Sequence, residues 1–211
     1  MPDSGSVEEI SNALRVEGEQ HLLVIHKIAD SIDKLYRDTG ADLHWLEYPL
    51  RYRPVRITGE FGTPYTVGGV SWTHEGLDIS VPVGETVYAC ASGEVVIADT
   101  RKGYGRCIRI EHIWQGERWW TWYAHLSVLV AGLGGVVECG SPIALSGNTG
   151  NSTGAHLHLT VQREGDKSLL PGCSKILTGC VNPLLYVRLP IGATALRTVG
   201  RYIEVGNPKV G

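Results

Sequence analysis

Two textures of hydrophobic spacing divide the chain. Over residues 6–38 the apolar positions recur with a helical period: Val7, Leu14, Ile25, Ile28, Ile32 and Leu35 fall on one seven-residue stripe, interrupted at Ser11, Gly18 and His21. Ser6 and Glu9 have the spacing of a capping box, and Asp38-Thr39-Gly40 supplies a stop. An α-helix is therefore expected over 6–38. Its stripe suits packing on its own domain or against a partner helix, including helix-mediated self-association. HWLEYPLRYRPVR, with two prolines, then reads as a connector.

From about residue 57 the helical period is gone. VYACASGEVVIAD, RCIRIEHI, WWTWYAHL and LHLTV are short β-type runs separated by glycine turns. The expected fold is mainly β: one antiparallel sheet or sandwich domain over 57–187. Residues 1–45 hold the helix and the start of the connector, and 46–56 form a linker. The tail at 188–211 either adds a strand or trails.

Composition sharpens this picture in a few places. Twenty-seven glycines with one Phe and one Met fit many tight turns in 211 residues. A formal net charge of -3 gives no electrostatic case for nucleic acid or an anionic membrane. No apolar run approaches the roughly 20 residues of a transmembrane helix. The start, MPDSGSVEEI, lacks the basic and apolar parts of a signal peptide, so an extracytoplasmic protein would reach its site by another route, or the sequence is a fragment. Five cysteines include no C-x-x-C pair. Two arrangements stay open: a disulfide closing PGCSKILTGC between Cys173 and Cys180, or five thiols.

The candidate chemistry lies in histidines. In GAHLHLTV, His156 and His158 alternate with Leu157, Leu159 and Val161, so both imidazoles share one strand face, about 6.6 Å apart at the backbone, with the apolar row opposite. THEGLDIS adds His74 and Asp78. On a straight strand these would stand about 13 Å apart, too far to share one ion. Gly76 between them permits the bend that brings them together. Two imidazoles and one carboxylate leave a fourth position for water, the donor set of catalytic zinc. Only one of the paired histidines need bind the ion; spacing alone does not choose which.

H-x-x-x-D, then Y-A-H-L, then S-G-N-T-G-N-S-T-G-A-H-L-H, in this order, resemble the lysostaphin-type (LytM-like) zinc peptidases. GEFG at Gly59, PVGETVYACASGEVV, GYGRCIRIEH and NPLLY extend the resemblance over residues 57–187. It implies the fold of that family, one zinc held by His74, Asp78 and His158, and catalytic roles for His125 and His156. His156 would be a general base and His125 a hydrogen-bond donor to the developing oxyanion. It also implies that the substrate is the peptide stems or cross-bridges of bacterial peptidoglycan, met outside the cytoplasm. Tyr65, Tyr104, Asn148 and Thr160 are candidate substrate contacts.

The sequence departs from the family pattern in three places. Thr73 precedes a single His74 where relatives often carry two histidines, Thr63-Pro64 stands where an arginine is common, and Thr160 stands where a glutamate is common. A silent relative that activates another hydrolase would be expected to lack the ligands kept here. A sugar phosphotransferase-type phosphocarrier would share H-x-G-x-D without needing H-x-H or Y-A-H-L. His112 reads as a structural strand residue, while His21, His26 and His44 lie outside the β domain. SGNTGNSTG has no G-K-[ST] ending and reads as a turn that aims His156. Trp114, Trp119, Trp120 and Trp122 suit cross-strand packing, or stacking on a sugar or peptide.

Overall fold

The period-two alternation becomes a chain of strands joined by glycine turns, seen in a computed structural model that describes residues 43–67, 70–165, 179–190, 194–197 and 201–204. The chain divides into Met1–Leu43 and His44–Gly211. The helix expected over 6–38 and the Cys173 end of the PGCSKILTGC loop lie outside the described residues.

In chain order the strands are β1 (Leu46–Glu47), β2 (Arg56–Gly59), β3 (Pro64–Val67), β4 (Val70–Thr73), β5 (Leu77–Ser80), β6 (Thr86–Tyr88), β7 (Gly93–Arg101), β8 (Gly105–Trp114) and β9 (Glu117–Leu126). They continue as β10 (Val128–Leu129), β11 (Val136–Val137), β12 (Pro142–Leu145), β13 (His156–Arg163), β14 (Cys180–Val181), β15 (Val187–Arg188), β16 (Thr194–Arg197) and β17 (Arg201–Glu204). One large sheet runs β11-β7-β8-β9-β13-β5-β2-β16-β17, with β14 also paired to β13. A smaller sheet has the order β10-β12-β6. The mainly β, antiparallel architecture agrees with the sequence reading.

The two sheets enclose one core. Leu77 and Ile79 of β5, Ile108 and Ile110 of β8, Tyr123 of β9, and Leu157, Leu159 and Val161 of β13 pack with Val87, Ile143 and Ala144 of the smaller sheet. Each aliphatic side chain buried there contributes about 1.5–3 kcal/mol. This burial fixes the register of β13, because a slip of one residue would send its histidines into the core.

Of the two segments at the domain's margins, 46–56 differs from the expectation and the tail takes one of the two courses left open. Residues 46–56 belong to the core: Leu46, Leu50 and Val55 are buried in it, and Leu46 pairs with Val187 in a parallel β1–β15 ladder. Apolar residues spaced along that stretch outweigh the two prolines that suggested a linker. The tail extends the large sheet, with β16 parallel to β2 and antiparallel to β17.

Candidate metal centre and active site

The face of β13 turned away from the core carries His156, His158, Thr160 and Gln162. Asp78 on β5 lies directly across the ladder from His158. His74 arrives from the end of β4, where the chain bends through Glu75 and Gly76 before β5 begins. His74 Nε2 therefore lies 3.1 Å from Asp78 Oδ1. Glycine is required at the bend by space: a Cβ on Gly76 would lie 2.5 Å from the Leu159 carbonyl oxygen and 2.8 Å from His158 Nε2. Gly59 on β2 does the same for the carboxylate, since a Cβ there would meet Asp78 Oδ2 at 2.5 Å.

Three donor atoms converge at this corner. His158 Nδ1 is 2.8 Å from Asp78 Oδ1 and 3.1 Å from His74 Nε2. The remaining nitrogen of each imidazole is already engaged. His74 Nδ1 donates to the Glu60 carbonyl at 2.9 Å, and His158 Nε2 lies 2.9 Å from Thr160 Oγ1. With Nε2–H donating to that hydroxyl, His158 Nδ1 keeps its lone pair, as does His74 Nε2. Tetrahedral zinc with bonds of about 2.0–2.1 Å places its donors about 3.3–3.4 Å apart. The observed separations, 2.8 Å for His158–Asp78 and 3.1 Å for the other two pairs, are shorter than that by roughly half an ångström or less, and the donor set of His74, Asp78 and His158 fits the ion.

The electrostatics follow from burial and from this contact. Burial alone would raise the Asp78 pKa, but hydrogen bonds and charge from His158 and His74 hold it well below the usual carboxylate range. His158 is shifted down, chiefly by burial. For His74 burial also pulls down, but the Asp78 hydrogen bond and charge reverse it and the net shift is upward. Asp78 is thus an anion at neutral pH, matched to a cation at this corner.

His125 reaches the same face through an irregularity. Strict alternation on β9 would send it toward the core with Tyr123. The β8–β9 register shifts between Arg106 and Ile108, so that Ala124 and His125 oppose Cys107 alone. His125 has φ of 60°, a left-handed conformation uncommon outside glycine. This bulge turns His125 outward while Tyr123 and Leu126 stay in the core. Its Nδ1 donates to the Thr149 carbonyl at 2.7 Å. Burial lowers its pKa to about 4. His156 stands beside it, ring centroids 4.6 Å apart. His156 Nδ1 donates to the Gly154 carbonyl at 2.8 Å, with Ser152 Oγ at 3.1 Å, and its Nε2 lies 3.5 Å from Asp78 Oδ1.

The other sequence candidates are distributed unevenly. Tyr104 lies at the site: its ring is 5.7 Å from His158, it stacks on Trp122 at 5.6 Å, and its hydroxyl donates to Glu75 Oε2 at 2.7 Å. Thr160, expected among the substrate contacts, is fully buried beneath His158, where it can orient the imidazole but cannot meet a ligand. Asn148 is exposed on the turn before Thr149. The Tyr65 side chain lies outside the described residues. His112 faces the core, bonded to the Ser92 carbonyl and Thr121. Trp119 is a core residue packed on Trp45, Trp114 and Tyr186, whereas Trp120 and Trp122 share the face of the histidines.

Sequence reasoning missed Thr149 and Glu75. Thr149 lies in the turn read as aiming His156, and its carbonyl holds His125 instead; a main-chain acceptor leaves no residue-type signal. Glu75 stood visible between His74 and Gly76, but its partner Tyr104 is distant in the chain.

Similarity to known proteins agrees with this geometry. The model of Peptidase family M23 matches residues 72–170. An uncharacterized metalloprotease of Haemophilus influenzae is 37% identical over 166 residues, covering 74% of this chain and 34% of the relative. The peptidoglycan DD-endopeptidase ShyA of Vibrio cholerae is 31% identical over 154 residues, covering 72% of this chain and 32% of the relative. The catalytic domain of the antimicrobial peptidase lysostaphin from Staphylococcus simulans is 30% identical with a TM-score of 0.50, over 62% of this chain and 90% of that domain. The chain belongs to peptidase family M23, a family of zinc metallopeptidases. It spans about a third of the length of these curated relatives. Among the described residues no helix is long and apolar enough to cross a membrane.

Proposed function

We propose that this chain is a zinc-dependent endopeptidase that cleaves the peptide part of bacterial peptidoglycan, acting where that polymer is exposed outside the cytoplasm. His74 Nε2, Asp78 Oδ1 and His158 Nδ1 hold the ion, and His125 and His156 move protons beside it. The observation that carries this reading is the convergence of two lone-pair nitrogens and one carboxylate oxygen within 3.1 Å, each imidazole held by its other nitrogen. The peptidoglycan substrate is supported by the similarity to ShyA, named as a peptidoglycan DD-endopeptidase.

Held by His74, Asp78 and His158, a zinc ion would supply Lewis-acid polarisation of the scissile carbonyl and a water with its pKa lowered to about 7. The chain's own residues supply the rest. Asp78 stays ionised and balances the cation. Glu60 and Thr160 fix the ligand rings, so little reorganisation accompanies the reaction. His125 and His156 each spend Nδ1–H on a backbone carbonyl, so each neutral ring presents an Nε2 lone pair. Both are arranged as proton acceptors. The oxyanion-donor role expected for His125 would require that ring to have taken up a proton first. One ring accepts the proton of the attacking water, and the resulting imidazolium returns it to the leaving amine.

The test is metal analysis of the chain purified without chelator, together with digestion of sacculi of several peptidoglycan chemotypes and mass spectrometry of the released ends. About one zinc per chain and new peptide amines are expected. A His158→Ala variant that keeps both its zinc and its activity overturns the ligand set, and intact sacculi with zinc bound overturn the substrate.

A further inference from the structure

The sheet face that carries the histidines continues past them. Thr160 pairs with Trp122 and Gln162 with Trp120 across β13–β9, and Trp122 pairs with Arg109 and Trp120 with Glu111 across β9–β8. Directly paired residues project to the same side, so Arg109, Trp120 and Trp122 lie on the face of His158. The Arg109 guanidinium sits over the Trp120 ring at 4.4 Å and the Trp122 ring at 5.2 Å. Trp122 is in turn locked by an Nε1 hydrogen bond to Gln162 at 2.6 Å and stacked by Tyr104, which touches His158.

Arg109 has an unmet need. Its Nε is buried, and no described residue accepts a hydrogen bond from it. The neighbouring acid, Glu111, is occupied: it accepts from Trp120 Nε1 at 3.0 Å and lies 3.5 Å from Arg118 Nε. A guanidinium held over two indole rings has less freedom to lose on binding, and its fork of donors is the one that matches a carboxylate. Cation–π contact holds the charge without neutralising it.

Resting on the peptidase reading above, we propose that Arg109, on its Trp120–Trp122 shelf, is a specificity-determining residue that binds a carboxylate of the substrate peptide. Arg109 is two strands and two residues from His158. At about 4.8 Å between strands and about 3.3 Å per residue, that is roughly 12 Å. An extended peptide covers that distance in three to four residues. The ligand is therefore an acidic peptide whose carboxylate lies that far from the bond cleaved, as opposed to one carrying a carboxamide there.

The experiment uses the full chain and two soluble stem-peptide dimers from bacterial peptidoglycan, one with free carboxyls and one with those groups converted to carboxamides. Affinity for each is measured by tryptophan fluorescence and hydrolysis by mass spectrometry, for the wild type, Arg109→Met and Arg109→Lys. The wild type should bind the acid form about tenfold more tightly, the scale of one charge-assisted pair. Arg109→Met should lose that preference by weakening the acid form alone, and Arg109→Lys should keep part of it. No preference in the wild type, or a preference that survives Arg109→Met, overturns the proposal. Should Arg109→Met not fold, the wild-type comparison and Arg109→Lys still decide. Preferential binding without any hydrolysis would instead fail the peptidase reading while leaving the carboxylate subsite standing.

Discussion

His158 hydrogen-bonds Thr160 two residues along its own strand, Nε2 to Oγ1 at 2.9 Å, and the contact is fully buried. Alternation alone creates this relationship, because both side chains must leave β13 on the same side. The hydroxyl fixes which nitrogen of His158 keeps its lone pair. Thr160→Val keeps shape and burial but removes the partner, and zinc affinity should fall about 10–100-fold. Thr160→Ser should restore most of it. Competition with a chromophoric chelator measures both; equal affinity in the valine variant would remove Thr160 from the support of the ligand.

Gly76 is predicted to be intolerant of even one methyl group. A Cβ there would press on the Leu159 carbonyl at 2.5 Å, a main-chain atom with no rotamer to yield, and on the His158 ring. Gly76→Ala should cost about 1–3 kcal/mol and lower zinc occupancy at the same time, because β5 and β13 must separate where Asp78 faces His158. Thermal denaturation and metal content should move together. A variant with unchanged values for both would show that the bend relaxes freely.

His112 gives a pH prediction separate from the metal corner. Its Nδ1 donates to the Ser92 carbonyl at 2.9 Å and its Nε2 lies 2.8 Å from Thr121 Oγ1, which is 3.1 Å from the Tyr123 hydroxyl. Cys90 N–H also donates to the Tyr123 hydroxyl, so the imidazole sits at the end of a buried hydrogen-bonded chain. Burial accordingly lowers the His112 pKa. Below the usual histidine value of about 6.5 the unfolded chain binds a proton that the folded one refuses, so stability is full above that pH and is lost as pH falls toward the folded value. His112→Asn should be less stable at pH 7.5 but lose less melting temperature than the wild type between pH 7.5 and 5.5. Parallel curves would assign that pH dependence to the other histidines.

The parts of the fold and site legible in the sequence are those where side-chain type and period carry the information. The alternation of His156 and His158 with Leu157 and Leu159 specified a strand, its buried face and its polar face. His74, Gly76 and Asp78 announced a bend, because the residues made sense only if brought together. The membership of residues 46–56 in the core was harder to read, since Leu46, Leu50 and Val55 find their partners only through contacts distant in sequence. The bulge at His125 was hidden for a related reason: WYAHL reads as plain alternation, and the extra residue shows only against the partner strand. Thr160 was placed on the correct face but in the wrong role, because a face does not reveal depth. Burial did.

The roles of the two unliganded histidines can be separated by what each variant can still donate. His125→Ala and His156→Ala should both keep near-stoichiometric zinc, since neither ring belongs to the triad of donors, while peptidoglycan hydrolysis falls by about 10²-fold or more in each. His125→Gln then divides the alternatives. If the residue serves as a neutral hydrogen-bond donor to the oxyanion, the glutamine amide can replace it and activity should recover substantially. If it works through an Nε2 lone pair, with Nδ1–H committed to the Thr149 carbonyl at 2.7 Å, an amide nitrogen cannot accept a proton and no recovery follows. The tautomer fixed by that carbonyl predicts the second outcome. Rates on one soluble peptide, with zinc content measured on the same preparations, decide it: recovery in His125→Gln would return the residue to the oxyanion, and loss of zinc in either alanine variant would add that histidine to the ligand set.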